Sequence, residues 1–322
     1  VKIGIVGATG EVGRTMIKVL EEFDLDITEL RLFASKKSQG KEIKFKNKNY
    51  FVEELTEEKM KEHYDYLLFS AGSTISKKFA IIASKNGNTV IDNSSAFRME
   101  KDIPLIVPEI NGDIIKNYKG IIANPNCSTI QMVLALSNIQ KEIGISEIFV
   151  STYQAVSGAG NKGMKELLDQ ENGNNNINYF PDLIHHNVIP LIGNIMQNGF
   201  TEEEMKMVNE TRKIFNNNKI KIYPTAVRVP VLYGHSESVA FKINGKSSVK
   251  ELKKLISNVE NVVYTEELIT PLNVAGSNIT YVSRLRQIEE DTFLLWIVAD
   301  NVRVGAATNA VRILLKHYEL NG

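Results

Sequence analysis

The chain has 322 residues, 43% hydrophobic and 24% charged, with 38 Lys plus Arg set against 38 Asp plus Glu and a single cysteine. This length holds one large or two ordinary domains of a globular protein, and the charge balance leaves no overall basic field for nucleic acid or an anionic membrane. One thiol excludes an intrachain disulfide and a cysteine zinc cluster, no metal-ligand set stands out, and no apolar run approaches the length of a membrane span. The chain opens directly with a strand over 1–6 in place of a cleavable targeting peptide, which points to a reducing cytoplasm.

Apolar runs at Lys2 to Val6, Leu30 to Ala34, Tyr66 to Ser70, Thr89 to Ile91 and Ile121 to Ala123 alternate with helical stretches. This is the pattern of a doubly wound parallel α/β sheet. The first run ends in Gly7-Ala8-Thr9-Gly10-Glu11-Val12-Gly13, before a helix whose Met16, Ile17, Leu20 and Phe23 recur at helical spacing. In that context Gly7 and Gly10 let the backbone approach a dinucleotide pyrophosphate, which the helix N-terminus attracts, and Gly13 lets helix and strand pack closely. The spacing is one residue looser than the usual fingerprint, and a glycine-rich connection without a ligand is the alternative. The second strand ends in Ser35-Lys36-Lys37-Ser38, with no acid before Glu42. Hydroxyls and ammonium groups there suit a 2′-phosphate and favour NADP over NAD, unless the lysines are merely solvated. After the third strand Ser70-Ala71-Gly72 offers small residues for close approach of a cofactor, or an ordinary turn. Arg98, after the fourth strand, is either an anion clamp or a surface arginine.

Cys127 stands in Asn124-Pro125-Asn126-Cys127-Ser128-Thr129, where a buried strand breaks and a helix over 130–143 follows. It is either a buried small hydrophobe or a nucleophile. At a helix N-terminus the unpaired N–H groups and the dipole stabilise a thiolate and bring the thiol pKa toward neutrality.

From Glu147 longer strands appear at 148–154, 226–232, 236–243, 279–286 and 292–299, and read as an antiparallel sheet joined by hairpins. Thr201-x-x-Glu204 and Ser248-x-x-Glu251 are capping boxes that start two helices. Asn172 to Asn178 is an exposed loop, and a last helix over 305–318 carries an apolar face suited to packing on the first lobe. Tyr153 to Gly160 ends a strand in a glycine-rich loop. Glu203 and Lys206 share a helix face, as either a surface ion pair or site residues. Arg228 lies within an apolar strand. His235 has the parity of Val239, Phe241 and Ile243, so it points inward, as a structural histidine or as the activator of a thiol.

In this order, Gly7 to Gly13, Ser94 to Arg98, Asn124 to Thr129, Tyr153 to Gly160, Arg228 to Val231, Gly234 to Glu237 and Asp300-Asn301-x-x-x-Gly305-Ala306-Ala307 closely resemble the bacterial-type aspartate-semialdehyde dehydrogenases. The resemblance implies a Rossmann-like NADP-binding domain at 1–127 with 303–322. It also implies a substrate-binding and dimerisation domain at 128–302, with a mainly antiparallel sheet, in a homodimer or homotetramer. The implied reaction is the NADP-dependent interconversion of 4-phospho-L-aspartate with L-aspartate 4-semialdehyde and phosphate, on the route to lysine through diaminopimelate and to threonine, isoleucine and methionine.

By the same resemblance Cys127 attacks the carbonyl and carries a thioester, His235 is the acid/base and Gln154 orients the acyl group. Arg228 then holds the α-carboxylate, Glu203 the α-amino group, and Arg98, Lys206 and Asn126 the phosphate. Gly7, Thr9, Gly10, Glu11, Val12, Ser35, Lys37, Ser38, Ser70, Gly72, Ser157, Gly158 and Asn301 contact NADP. Lys37 stands where the family often has Arg, which keeps the charge without the planar fork. His185-His186 departs from the family pattern and receives no role. The alternatives are N-acyl-glutamyl-phosphate reductase, whose cysteine segment differs, and a catalytically silent NADP-binding regulator.

Overall fold

The computed structural model describes residues 1–322, which divide into two compact units, one of 1–125 with 306–322 and one of 126–305. Asn126 and Cys127, expected to close the first unit, belong to the second.

The first unit begins β1 (Lys2–Val6), α1 (Glu11–Glu22), β2 (Glu29–Ala34), β3 (Glu42–Phe45), β4 (Lys48–Glu54), α2 (Glu57–Lys61), β5 (Tyr66–Phe69), α3 (Ser73–Lys85), β6 (Thr89–Asp92), α4 (Pro108–Asn111) and β7 (Ile121–Ala123). Its seven-stranded sheet has the order β3-β4-β2-β1-β5-β6-β7 and is parallel throughout except for the β3–β4 hairpin. That hairpin escapes a reading of apolar runs because its strands are rich in Lys and Glu. Its turn is made by Lys46 and Asn47, both with positive φ, so no glycine marks it.

The parallel register aligns Val6, Phe69, Asp92 and Ala123 across β1, β5, β6 and β7. The loops that begin at Gly7, Ser70, Asn93 and Asn124 therefore leave from one edge of the sheet, the carboxyl edge where α/β proteins bind ligands.

The second unit runs α5 (Cys127–Glu142), β8 (Ile145–Gln154), α6 (Gly160–Glu171), α7 (Glu202–Ile214), β9 (Lys221–Arg228), β10 (His235–Ile243), α8 (Val249–Ser257), β11 (Val262–Thr265), α9 (Pro271–Val274), β12 (Thr280–Glu289) and β13 (Thr292–Ala299). Its six strands lie in the order β11-β12-β13-β10-β8-β9. The three central pairings are antiparallel, but β8–β9 and β11–β12 are parallel, so hairpins do not join all neighbours. The chain passes from β8 to β9 through α6 and α7, the crossover that parallel strands require. Both capping boxes form, at Thr201 for α7 and Ser248 for α8.

α5 packs on this sheet with α7 and α8 beside it, so its residues from Ser128 to Ser137 are buried all round, which its largely apolar sequence permits. Each fully buried Leu, Ile or Met contributes roughly 1.5–3 kcal/mol. A smaller apolar cluster of Val156, Met164, Leu167, Phe180, Ile184 and Ile189 anchors α6 and the irregular segment that follows.

A π-helical turn at Arg303–Thr308 leads into α10 (Asn309–Asn321). Ala307, Ala310, Val311 and Leu314 join Ile3, Ile5, Met16, Leu20 and Ile122 in the core of the first unit. No helix is long and apolar enough to cross a membrane.

Candidate active site

In the second unit Asn126 is the N-cap of α5 and Cys127 its first helical residue, so the helix starts three residues before the expected 130. The Asn126 side chain accepts from the backbone N–H of Ser128 and Thr129, at 3.1 and 3.3 Å. Cys127 is half-buried there. A Cβ on Gly305 would lie 2.5 Å from that of Cys127, so only glycine lets the chain pass so close to the thiol.

Three neighbouring strands bring the other groups to one end of the sheet. Gln154 on β8 is paired with Arg228 on β9. On the other side Tyr153 is paired with Ser236 on β10, which places His235 beside the end of β8. Period-two alternation turns Thr152 and Gln154, Ala226 and Arg228, and His235 and Glu237 into the buried face.

His235 is fully buried, and its Nδ1 lies 3.0 Å from the backbone nitrogen of Ala155. That N–H can only donate, so Nδ1 accepts and the ring hydrogen sits on Nε2. Burial, reinforced by the charge of Arg228, lowers the imidazole pKa to about 3, which keeps it neutral. Nε2 has no partner within the protein, leaving a buried N–H to offer.

Arg228 donates from Nη1 to the Ala155 carbonyl at 2.7 Å. Burial lowers its pKa, while Glu203 and Cys127 act in the opposite sense, which places both within electrostatic reach of the guanidinium. Gly158 lies against the same groups: a Cβ there would come 2.8 Å from Arg228 Nη1 and 3.3 Å from His235 Nε2. Gln154 Nε2 donates to Thr152 Oγ1 at 3.2 Å.

Glu203 of α7 is buried and not part of a surface ion pair. Its carboxylate accepts from Lys206 Nζ at 3.0 Å and from Asn126 Nδ2 at 2.8 Å. Burial pushes its pKa up, but the charge of Lys206, these hydrogen bonds and Arg228 outweigh it and hold it at about 2. Both ends of the Asn126 amide are thus engaged with protein groups, an arrangement that spacing could not show. Asn301 donates from Nδ2 to Ser157 Oγ at 3.0 Å and accepts from the Gly234 N–H at 2.9 Å, fastening the residue before His235.

The remaining expected residues belong to the first unit. Gly7 has φ +85°, and a Cβ there would meet the Ser70 carbonyl oxygen at 2.7 Å, so the two loops touch. Gly10 is the N-cap of α1 and is not capped by a side chain, at a helix N-terminus of the kind that favours an anion. Around Gly72, the N-cap of α3, a Cβ would meet nothing, and the buried Ser70 Oγ has no partner. These features fit a dinucleotide. Ser35, Lys36 and Lys37 are exposed after β2, and Ser38 is buried, 3.5 Å from Thr9 Oγ1. Arg98 is buried and donates to the carbonyls of Asn124 and Asn93, both at 2.9 Å.

Glu210, Gln131 and Glu237, absent from the expected set, are buried beside these groups. Asn126 donates its N–H to Glu210 at 2.6 Å, Gln131 donates to the His235 carbonyl at 3.3 Å, and Glu237 lies two residues along β10 on the same face. Glu237 at an inward position of β10 and Gln131 in the apolar run of α5 were the available signals, whereas Glu210 is one acid among several in a polar helix and carried none. His185 and His186 pack on each other, with ring centroids 3.8 Å apart. No group of three or more His, Cys, Asp or Glu side chains is arranged to hold a metal ion.

Residues 2–118 match the family described as semialdehyde dehydrogenase, NAD binding domain, and residues 136–304 that described as semialdehyde dehydrogenase, dimerisation domain. The aspartate-semialdehyde dehydrogenase of Aquifex aeolicus (strain VF5) is 45% identical over 327 residues, covering 97% of this chain and 96% of that protein. That of Bacillus subtilis (strain 168) is 41% identical over 339 residues, covering 99% and 98%. A crystal structure of aspartate semialdehyde dehydrogenase II complexed with ASA from Vibrio cholerae has a TM-score of 0.94 and 42% identity, covering 98% of both chains. The chain therefore belongs to the aspartate-semialdehyde dehydrogenase family, oxidoreductases with a nicotinamide-cofactor domain and a dimerisation domain.

Proposed function

We propose that the enzyme uses NADP to convert 4-phospho-L-aspartate into L-aspartate 4-semialdehyde and phosphate through a thioester on Cys127, on the cytoplasmic route to lysine, threonine, isoleucine and methionine. The single observation that carries this reading is the convergence, in one unit, of Cys127 at the start of α5 with His235, Arg228 and Glu203. A guanidinium and a carboxylate suit the α-carboxylate and α-ammonium of one amino acid, and place its side-chain carbonyl toward the thiol.

Cys127 attacks the acyl phosphate as the thiolate, phosphate leaves, and the aspartyl group is held as a thioester. A thiol serves better than a hydroxyl because it both attacks and leaves readily. The nicotinamide, when bound, supplies the hydride to the acyl carbon. The His235 Nε2–H offers a hydrogen bond to the acyl oxygen as charge develops on it, and Gln154 orients the acyl group. Expulsion of the thiolate then releases the aldehyde. Arg98, Lys206 and Asn126 receive the phosphate.

Gly7, Thr9, Gly10, Glu11, Val12, Ser70 and Gly72 hold the dinucleotide, with Ser157, Gly158 and Asn301 as further contacts. Ser35, Lys37 and Ser38, without a neighbouring acid, select the 2′-phosphate. The exposed sheet face bearing Phe149 and Tyr223 forms the contact of a homodimer, or of a dimer pair in a homotetramer.

The test is phosphate-dependent reduction of NADP by aspartate semialdehyde, with NAD and the one-carbon-longer N-acyl-glutamate semialdehyde in parallel. Cys127→Ser should abolish turnover and leave cofactor affinity nearly intact; an unchanged rate in that variant, or equal turnover of the longer aldehyde, refutes the reading.

A further inference from the structure

Asn126 makes only half of a capping box by itself. Its side chain caps the N–H groups of Ser128 and Thr129, but the reciprocal acceptor for its own backbone N–H would be a Glu or Gln three residues on, and that position is Thr129. Thr129 Oγ1 has no partner at all. The missing acceptor comes from another helix: Glu210 of α7 takes the Asn126 N–H at 2.6 Å, while Glu203, two turns earlier on the same helix, takes Asn126 Nδ2 at 2.8 Å. The next residue of α7, Glu204, accepts from the Ala226 N–H on β9 at 3.0 Å, two residues before Arg228. One helix therefore grips both the turn that presents the thiol and the strand that presents the guanidinium.

Glu203 is expected to meet substrate, but Glu210 is buried at 1% exposure behind the Asn126 backbone. Satisfying a buried N–H explains why some acceptor is present. It does not explain why the acceptor is held by the helix that also carries Glu203. We propose that Glu210 is a positioning residue for the nucleophile: it completes the cap of α5 from α7 and so fixes the direction of Cys127 relative to Glu203 and Arg228.

This inference rests on the thioester reading, and two conservative variants in the full chain test it. Glu210→Gln keeps an acceptor oxygen at the same reach without the charge, whereas Glu210→Asp keeps the charge and withdraws the oxygen by one methylene. Positioning predicts that E210D lowers kcat about tenfold or more with KM for aspartate semialdehyde nearly unchanged, and that E210Q stays within about threefold of the parent. The rate of Cys127 alkylation by iodoacetamide at fixed pH should shift about threefold or more in E210D and little in E210Q. Both variants at the parent rate in both assays, or E210Q slower than E210D, overturn the proposal. If the parent itself shows no turnover of aspartate semialdehyde, the functional reading fails, while the alkylation rates still decide whether Glu210 positions the thiol.

Discussion

The backbone N–H of Ala155 points at Nδ1 of His235 from 3.0 Å, and this one contact fixes which nitrogen of the imidazole carries hydrogen. Ala155 is the first residue beyond β8, and His235 is the first of β10, so the bond exists only because the two strands are neighbours in register. A neutral ring with its hydrogen on Nε2 offers a hydrogen-bond donor and, with Nδ1 already engaged, is a poor base.

The pH profile should therefore show no limb from His235 near 6.5. With the imidazole pKa lowered to about 3, chiefly by burial, the ring stays neutral throughout the working range. Nitrogen-resolved NMR of the free enzyme should report an unchanged Nε2–H ring between pH 5 and 8, whereas an imidazolium at pH 5–6 would contradict the assignment. Replacing His235 by Ala should cost about 10²–10³ in kcat, the usual loss for one oxyanion donor.

Gly158 should be irreplaceable for activity while remaining replaceable for folding. Its φ is not in the left-handed region, but an added methyl would press on Arg228 Nη1 at 2.8 Å and on the His235 ring. Gly158→Ala should fold with a melting temperature close to the parent and lose about 10²-fold in kcat/KM through displacement of the guanidinium. Gly160→Ala, where a Cβ meets nothing but φ is +69°, should show the opposite balance, a stability loss with less effect on rate.

Glu237 should make the protein less stable as pH rises. It is fully buried, neither carboxyl oxygen has a hydrogen-bond partner of ordinary geometry, and burial raises its pKa well above 4.5, with Gln131 pulling weakly the other way. Above about pH 4.5 the unfolded chain releases this proton while the folded protein keeps it, so the stability associated with the neutral acid is complete at low pH. It is lost progressively as pH climbs toward the folded value. Glu237→Gln removes the titration and should raise Tm by at least about 3 °C at pH 8, with the difference shrinking toward pH 4.5. Equal Tm differences at both pH values would refute the buried neutral acid.

The outer face of the second sheet should be an interface between copies. Phe149 and Tyr223 stack there with ring centroids 4.5 Å apart, Tyr153 and Trp296 lie 5.6 Å apart, and Phe149 remains 48% exposed. Aromatic patches of this kind mark association surfaces. Sedimentation should show a dimer or tetramer for the parent and a smaller species for Phe149→Glu with Tyr223→Glu.

The parallel sheet of the first unit was legible because β1, β5 and β6 are continuous apolar runs, and the close packing of the loop after β1 because Gly7 and Gly13 stand where backbones touch. The β3–β4 hairpin was not, since a charged edge hairpin turning on Lys46 and Asn47 carries neither an apolar run nor a glycine. Thr201 and Ser248 declared their helices because a capping box is a contact between residues three apart. The cap of α5 stayed hidden because its second half, Glu210, lies 84 residues along the chain from Asn126.

Residue identity and short spacing by themselves determined a lone thiol at the start of a helix, the glycine loop, the inward parity of His235 and the shared face of Glu203 and Lys206. These depend on helix and strand periodicity, which is local. The tertiary structure decided what those groups are. It gave His235 its tautomer through Ala155, turned Glu203 from a surface charge into a buried carboxylate, and set Gly158 against Arg228. It also tied the turn that carries Cys127 to α7. Each of these follows from burial and from strand register, and both exist only once distant segments have packed together.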